Sequence, residues 1–333
     1  MTKIVKSNDL KEAAKCLING GTVVFPTETV YGLGADALNK DAIEKIYKAK
    51  GRPSDNPLIV HIADINDIYK ITKNISEDAK KIMEKFWPGP LTMIFEKADI
   101  VPDKVTAGLN TVAVRFPSHK TAQELIKMST RYIAAPSANI SGSPSPTSLK
   151  YVCDDMVGRV DFIIDGGSSA VGIESTILDV SGDEFKILRP GAITYKDILS
   201  VTDKIKTDYE DVKDIKTPKC PGMKYTHYSP KADVFVIMGE KEKCQEFILD
   251  KISNKTQKIG VLAYKDTKYD DADYVIYAGD DMKSYAACLY ESLREFDDNN
   301  IDIIYAQFEN TDGIGVAVKN RIFKSAGYKV IEV

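Results

Sequence analysis

Apolar positions along the first two hundred residues come in short bursts that switch between two periods. Leu10, Ala13, Ala14, Leu17 and Ile18 fall at helical spacing behind Ser7, which suits an N-cap, so the pattern predicts a helix over 7–20. Gly20-Gly21 ends it, and 22–25 reads as a short β-branched strand. A second helix is predicted over 41–50, with Ile43, Ile46 and Tyr47 on one face, and a buried-type strand over 58–62. Further strands are predicted at 91–95, 111–115, 132–135, 162–164, 176–180 and 186–188, with helices at 76–86, 121–128 and 148–157 between them. This interleaving predicts an α/β domain with a twisted, mixed sheet.

From 206 to 219 the pattern turns charged and irregular, and it ends on Thr217-Pro218 and Cys220-Pro221-Gly222. Beyond it, strands at 233–238, 258–263, 274–277 and 302–307 alternate with helices at 242–251, 282–297 and 316–325. That order predicts a smaller, Rossmann-like three-layer α/β domain with a largely parallel sheet. The expected organisation is therefore a domain over 1–207, a linker over 208–232 and a second domain over 233–333.

Composition narrows the class. A chain of 333 residues suits about two domains. No run approaches the roughly 18 to 20 apolar residues of a membrane helix, and the polar start of the chain has no signal-peptide core, so a cytoplasmic location is expected. The five cysteines are scattered, never in a Cys-x-x-Cys pair, which argues against a disulfide framework or a zinc site. Cys220 and His227 lie near each other, but three histidines leave few partners for a transition metal. The net charge is −4, with 29 basic against 30 acidic residues through Lys216 and 16 against 19 after it, so neither part is a basic nucleic-acid module.

Candidate chemistry lies where polar clusters follow strands. There is no Gly-x-x-x-x-Gly-Lys-[Ser/Thr] loop, and Gly32-Leu33-Gly34 and Gly313-Ile314-Gly315 lack the third glycine of a dinucleotide fingerprint, so both read as tight turns. The run Pro26-Thr27-Glu28-Thr29-Val30-Tyr31-Gly32 follows a strand, where α/β domains place ligand contacts; it equally suits a polar surface turn. Lys50-Gly51-Arg52-Pro53-Ser54-Asp55-Asn56 presents an ammonium, a guanidinium, a hydroxyl and an amide on one loop, a set suited to phosphate oxygens. Taken alone, a Lys-x-Arg more often makes a solvated basic turn. His61 ends the strand after it, as a core group or a substrate contact, and Arg115 ends the alternating strand 111–115, where a ligand carboxylate or a structural salt bridge could use it. Ala135-Pro136-Ser137-Ala138-Asn139, Glu174-Ser175-Thr176 and Arg189-Pro190-Gly191 add hydrogen-bonding groups. With so few histidines no Ser/His/Asp nucleophile stands out. The sum suits a site that orients and neutralises its substrates, the style expected of nucleotidyl transfer.

Taken in order, the motifs at 26–34, 50–61, 111–117, 136–142, 174–177 and 189–191, with the linker sequence at 221–230, resemble the Sua5/YrdC/YwlC family in its two-domain Sua5 form. The resemblance implies a YrdC-like N-terminal domain and a Sua5-type C-terminal domain. It also implies an enzyme that joins L-threonine, bicarbonate and ATP into L-threonylcarbamoyl-AMP, releasing pyrophosphate, the first step of threonylcarbamoylation at adenosine 37 of tRNA. By motif position, Lys50, Arg52 and Asn56 would hold the ATP phosphates, with Lys50 and Arg52 as the catalytic pair. Thr111, Ser137, Ser145 and Arg189 would add nucleotide contacts, and Tyr225 and Tyr228 would close over the nucleotide. Thr29, His61, Arg115, Ala135 and Ser175 would surround threonine, with Arg115 on its carboxylate. Mg²⁺ would bridge the phosphates with no side-chain metal site, and the product would pass to the tRNA threonylcarbamoyl-transferase machinery, with weak tRNA contact as a further expectation. The linker departs from the family where a second basic residue is expected, at Thr226. Two rival readings are an RNA-binding module without adenylating activity and the carbamoyl-adenylate chemistry of hydrogenase-maturation relatives. The near-neutral charge weighs against the first, and the lack of zinc-finger-like cysteine motifs and an acylphosphatase module weighs against the second.

Overall fold

A computed structural model describes residues 1–205, 209, 228–309 and 312–333. The chain divides into two compact units: Met1–Ser141 with Pro146–Lys224, and Gly142–Ser145 with Tyr225–Val333.

The first unit is built on ten strands: β1 (Lys3–Lys6), β2 (Val23–Phe25), β3 (Gly32–Asp36), β4 (Ile59–His61), β5 (Leu91–Glu96), β6 (Thr111–Arg115), β7 (Ile133–Ala134), β8 (Phe162–Asp165), β9 (Thr176–Asp179) and β10 (Lys186–Arg189). They form one sheet in the order β1-β8-β2-β3-β7-β4-β6-β5-β9-β10. Its pairing is mixed: β4/β6 and β5/β9 are parallel, whereas β2/β3, β4/β7, β5/β6 and β9/β10 are antiparallel.

Alternation along the strands assigns the two faces. Val60, Met93, Val112, Val114 and Leu178 point into the main core, where Ile43, Ile46, Tyr47, Ile82 and Met83 cover them from the helices Lys40–Lys50 and Glu77–Phe86. Over the β1–β7 half, the opposite face is also covered: Leu10, Ala13, Ala14 and Leu17 pack with Ala122, Leu125 and Ile126 on Phe25, Phe162 and Ile164. Over β4, β6, β5 and β9 that face carries only a small apolar patch of Ile59, Ala113, Ile94 and Ile177, with Leu188 beside it. The sheet is thus backed by large apolar clusters on both sides in one half, whereas in the other half one face carries a small, buried apolar patch rimmed by polar groups.

Two predicted features differ. The first helix is Lys11–Ile18, with Leu10 rather than Ser7 at its N-cap and no side-chain cap. The cause is β1, which the pattern did not reveal: residues 3–6 pair with β8, and the Ser7 amide donates to the Asp165 carbonyl at 3.1 Å, holding Ser7 in the extension of that ladder. Gly32-Leu33-Gly34 is no turn but the start of β3. A Cβ on Gly34 would lie 2.7 Å from both the Phe25 ring and the Ile133 side chain, so the glycine permits close packing within the sheet and does not bend the chain.

In the second unit β11 (Asp233–Met238), β12 (Ile259–Ala263), β13 (Tyr274–Tyr277), β14 (Ile303–Phe308) and β15 (Val330–Glu332) pair in the order β13-β12-β14-β11-β15. All four ladders are parallel, as the alternation of strands and helices predicts. Helices Lys241–Ser253, Met282–Asp298 and Ile314–Ser325 connect them, the second opened by a capping box between Asp281 and Ser284. Gly313, at φ 65°, precedes the third helix and makes its half of the predicted turn. The edge strand β15 was not anticipated. No helix among the described residues is long and apolar enough to cross a membrane.

Candidate active site

The strand directions bring several predicted residues to one edge of the face that carries the small apolar patch. β4, β6 and β10 run one way and end on His61, Arg115 and Arg189; β5 and β9 run the other way and begin at Leu91 and just after Ser175. In register, Arg115 stands between His61 on β4 and Thr92 on β5, with all three on the face that also carries Ile59, Ala113 and Ile94. Thr111 projects from the same face at the other end of β6, four residues from Arg115 and hence about 13 Å along the strand.

Arg115 is the hub. Its Nη1 donates to Thr29 Oγ1 at 2.8 Å, and its Nε faces the Gly89 carbonyl at 3.4 Å. Its Nη2 lies 2.8 Å from Glu28 Oε1, and both side chains are nearly sealed from solvent. Thr29 is held in turn by Thr27, 2.9 Å away, whose hydroxyl donates to the Val30 carbonyl at 2.6 Å. The 26–31 loop therefore folds back over the sheet face to meet the end of β6. Burial disfavours the Glu28 carboxylate, but the Arg115 charge outweighs it, assisted by the Glu28 and Ser118 amides, and holds its pKa below the usual range.

His61 is buried against Phe25, ring centroids 6.1 Å apart, with Nδ1 3.2 Å from the Ile59 carbonyl. Burial first and the Arg115 charge second push its pKa down to about 3, so it is a neutral imidazole at physiological pH. Ser175 accepts or donates to Thr92 Oγ1 at 2.7 Å, and Arg189 grips the Ser175 carbonyl with Nε at 3.1 Å and Nη2 at 2.9 Å. Arg189 thereby fixes Ser175 beside Thr92. Thr92 is not among the sequence-predicted residues; a hydroxyl in a strand buried from Leu91 through Phe95 is the available signal.

A second cluster surrounds Lys50. The helix Lys40–Lys50 starts on the Asn39 side chain and stops at Gly51, which adopts the left-handed φ of 61°. Lys50 Nζ is buried and donates to the Ser137 carbonyl at 2.6 Å and the Asn139 carbonyl at 2.7 Å, tying the loop after β7 to the helix end. Ser137 Oγ donates to Asn139 Oδ1 at 2.5 Å, a contact that makes Asn139 a member of this cluster. Arg52 Nη2 reaches the Asn56 and Pro57 carbonyls at 3.4 Å. Asn56 is fully buried, yet neither its Oδ1 nor its Nδ2 has a hydrogen-bond partner among the described residues. A buried amide of this kind is costly unless something completes it. Ala135 donates its amide to the Ile59 carbonyl at 2.9 Å, and Ser137 bridges Gly32, so this loop borders the same sheet.

Three predicted residues stand apart. Ser145 is buried in the Gly142–Ser145 stretch that groups with the second unit. Tyr228, at φ 69°, stacks on Tyr290 within the second unit, centroids 5.1 Å apart. Tyr225 lies outside the described residues, as do Cys220, His227 and most of the predicted linker. Among the described residues no group of three or more His, Cys, Asp or Glu side chains could hold a metal ion.

Comparison with known proteins agrees with this architecture. Residues 15–191 match the Sua5_yciO_yrdC family model, described as telomere recombination, and residues 193–327 match the C-terminal domain of threonylcarbamoyl-AMP synthase. The chain is 44% identical to the threonylcarbamoyl-AMP synthase of Pyrococcus abyssi, over 97% of this chain and 96% of that one. It is 45% identical to the enzyme of that name from Bacillus subtilis, over 99% and 97%. The structure of P. abyssi Sua5 complexed with L-threonine superposes with a TM-score of 0.94 at 42% identity, covering 100% of this chain and 99% of that one. Two matched domains in order, relatives aligned nearly end to end and a shared two-unit fold place this chain in the Sua5 family of threonylcarbamoyl-AMP synthases.

Proposed function

We propose that this chain condenses L-threonine, bicarbonate and ATP into L-threonylcarbamoyl-AMP and pyrophosphate. The observation that carries the reading is the sheet face over β4, β6, β5 and β9, which has a small apolar floor, a neutral imidazole and a guanidinium at one end and a threonine hydroxyl at the other. A small amphiphilic amino acid and a nucleotide can lie side by side on such a surface. In this reading Arg115 takes the threonine carboxylate, while Thr29, His61, Ala135 and Ser175 enclose the rest of the amino acid. The threonine nitrogen forms a bond to the bicarbonate carbon with loss of water and a proton. A carbamate oxygen then attacks the α-phosphorus of ATP, and the bond to the bridging oxygen of pyrophosphate breaks.

Both partners in the second step are anionic, so their repulsion has to be neutralised before they meet. Lys50, Arg52 and Asn56 are assigned to the triphosphate, with Lys50 and Arg52 carrying the developing charge. Thr111, Ser137, Ser145 and Arg189 are assigned to further nucleotide contacts, and Tyr225 and Tyr228 to its outer side. The buried, uncompleted amide of Asn56 supports the phosphate assignment, because amide hydrogens there would find acceptors in phosphate oxygens. Mg²⁺ would be held chiefly by those phosphates and would supply charge neutralisation of the leaving group. Lys50, Arg115 and Arg189 are each less than a tenth exposed, which suits a small anionic ligand and not the backbone of an RNA helix. The product, a mixed anhydride, is an activated carbamoyl donor for a separate enzyme that modifies adenosine 37 of tRNA, and any tRNA contact by this chain would be weak. The test is pyrophosphate release: it should require threonine and bicarbonate together, and equal release with either omitted would overturn the proposal.

A further inference from the structure

Glu28 is a buried, charged group in contact with Arg115 to which the reaction, as set out above, gives no task. Its geometry is unusual for a structural ion pair. Glu28 Oε1 and Arg115 Nη2 lie 2.8 Å apart, yet among the described residues Nη2 and both Glu28 carboxylate oxygens have no well-aligned hydrogen bond; Arg115 and the Glu28 and Ser118 amides reach the carboxylate only in poor alignment. His119, whose ring feels the Glu28 charge, likewise leaves Nδ1 without one. Arg189, a few strands away, shows the contrast: two of its nitrogens donate in good alignment to one carbonyl. Glu28 and Arg115 are close enough to neutralise each other, and misaligned enough to leave their directional bonding unused. A buried charge pair without completed hydrogen bonds carries a desolvation cost that a better-matched ligand can relieve.

The matching ligand is a zwitterion. A carboxylate needs aligned guanidinium hydrogens, and an ammonium needs aligned carboxylate oxygens; one α-amino acid supplies both charges on adjacent atoms. We propose that Glu28 and Arg115 together form the receptor for the α-amino acid head group, with Glu28 binding the ammonium and so determining that an amino acid, and not the corresponding hydroxy acid, is accepted. The backbone of Glu28 is pinned, since the Val171 amide donates to its carbonyl at 2.8 Å and the Thr27 hydroxyl closes the loop onto Val30. Only the Glu28 side chain has to turn aside from Arg115 for the head group to enter. The charged groups around it are Arg115, His61 and His119, and burial lowers the pKa of both histidines, so Glu28 supplies the negative charge there.

This inference rests on the proposal that threonine lies against Arg115, and the test separates the two. Isothermal titration of the full chain with L-threonine and with its α-hydroxy analogue, 2,3-dihydroxybutanoate of the same configuration, gives a preference ratio. The wild-type chain should favour threonine by on the order of 100-fold, the scale of a charge-assisted hydrogen bond made or lost in a buried site. Glu28→Gln, which keeps size and removes charge, should bring the ratio below about tenfold, and Glu28→Asp should restore much of it. An unchanged ratio in Glu28→Gln, or equal loss of both ligands, would reduce Glu28 to a prop for Arg115 and overturn the inference. A wild-type ratio under threefold would overturn it without any variant. Wild-type protein that binds neither ligand would overturn the threonine reading itself.

Discussion

His61 offers a prediction whose size follows from its surroundings. The imidazole is 4% exposed, packed on Phe25 and directly beside Arg115 in the β4/β6 register, and its pKa falls from 6.5 to about 3. The unfolded chain binds a proton at His61 below about pH 6.5, whereas the folded chain resists it until about pH 3. Its contribution to stability is therefore complete above pH 6.5 and is lost as pH falls through that window. The gap is worth about 5 kcal/mol by pH 3, or about 1.4 kcal/mol per pH unit in the middle of the window. Replacement of His61 by Gln leaves a neutral side chain and removes this term, while the carboxylates that also titrate are common to both proteins. The single tryptophan, Trp87, is buried in the first unit with its Nε1 donating to the Leu91 carbonyl at 2.7 Å, so its fluorescence reports unfolding of the unit that holds His61. Urea titrations at pH 4.5, 5.0 and 5.5 should show the wild type losing about 1.4 kcal/mol per pH unit more than His61→Gln. Parallel pH dependences in the two proteins would refute the buried-neutral assignment. A functional corollary is that threonine affinity should show no inflection near pH 6.5.

Three further outcomes are expected. Arg52→Ala should lower kcat/KM for ATP by about 10- to 150-fold, the loss of about 1.5 to 3 kcal/mol of phosphate contact, and wild-type kinetics would remove the loop from the site. Gly34→Ala should destabilise the first unit by about 1 to 3 kcal/mol in urea, because the added methyl meets Phe25 and Ile133 at 2.7 Å; an unchanged midpoint would show that the sheet can yield there. Chelation with EDTA should abolish pyrophosphate release, Mg²⁺ should restore it, and the thermal midpoint of the ligand-free protein should stay put, since the metal is expected to travel with ATP; a midpoint lowered by EDTA would reveal a metal held by the protein.

Much of this fold was legible in the residue pattern. Strand β6 spans the predicted residues, and the helix Lys40–Lys50, with its face of Ile43, Ile46 and Tyr47, differs from the predicted 41–50 by one position, because apolar periodicity in buried elements is dictated by the core itself. What escaped was structure without such periodicity. β1 is mostly exposed and carries two lysines in four residues, and its strand state comes from pairing with β8. β3 begins Gly-Leu-Gly, and the Phe25 ring and Ile133 side chain on the neighbouring strands explain why a small residue is needed at Gly34. The site was legible as separate motifs and not as an arrangement. Arg115 and His61 were both read as strand ends, but their adjacency depends on β4 and β6 being parallel neighbours, and the Glu28–Arg115 contact joins residues 87 positions apart in the chain. Lys50, read as a phosphate grip, also serves to hold the Ser137–Asn139 backbone in place.

The central claim is the identity of the product, and one measurement addresses it directly. The full chain is incubated with L-threonine, ATP, Mg²⁺ and ¹³C-bicarbonate, and the nucleotide pool is analysed by mass. The account predicts an adenylate that contains threonine and one labelled carbon, formed in step with pyrophosphate and absent when any substrate is withheld. AMP or ADP without that adduct, or an adduct lacking the label, would contradict it.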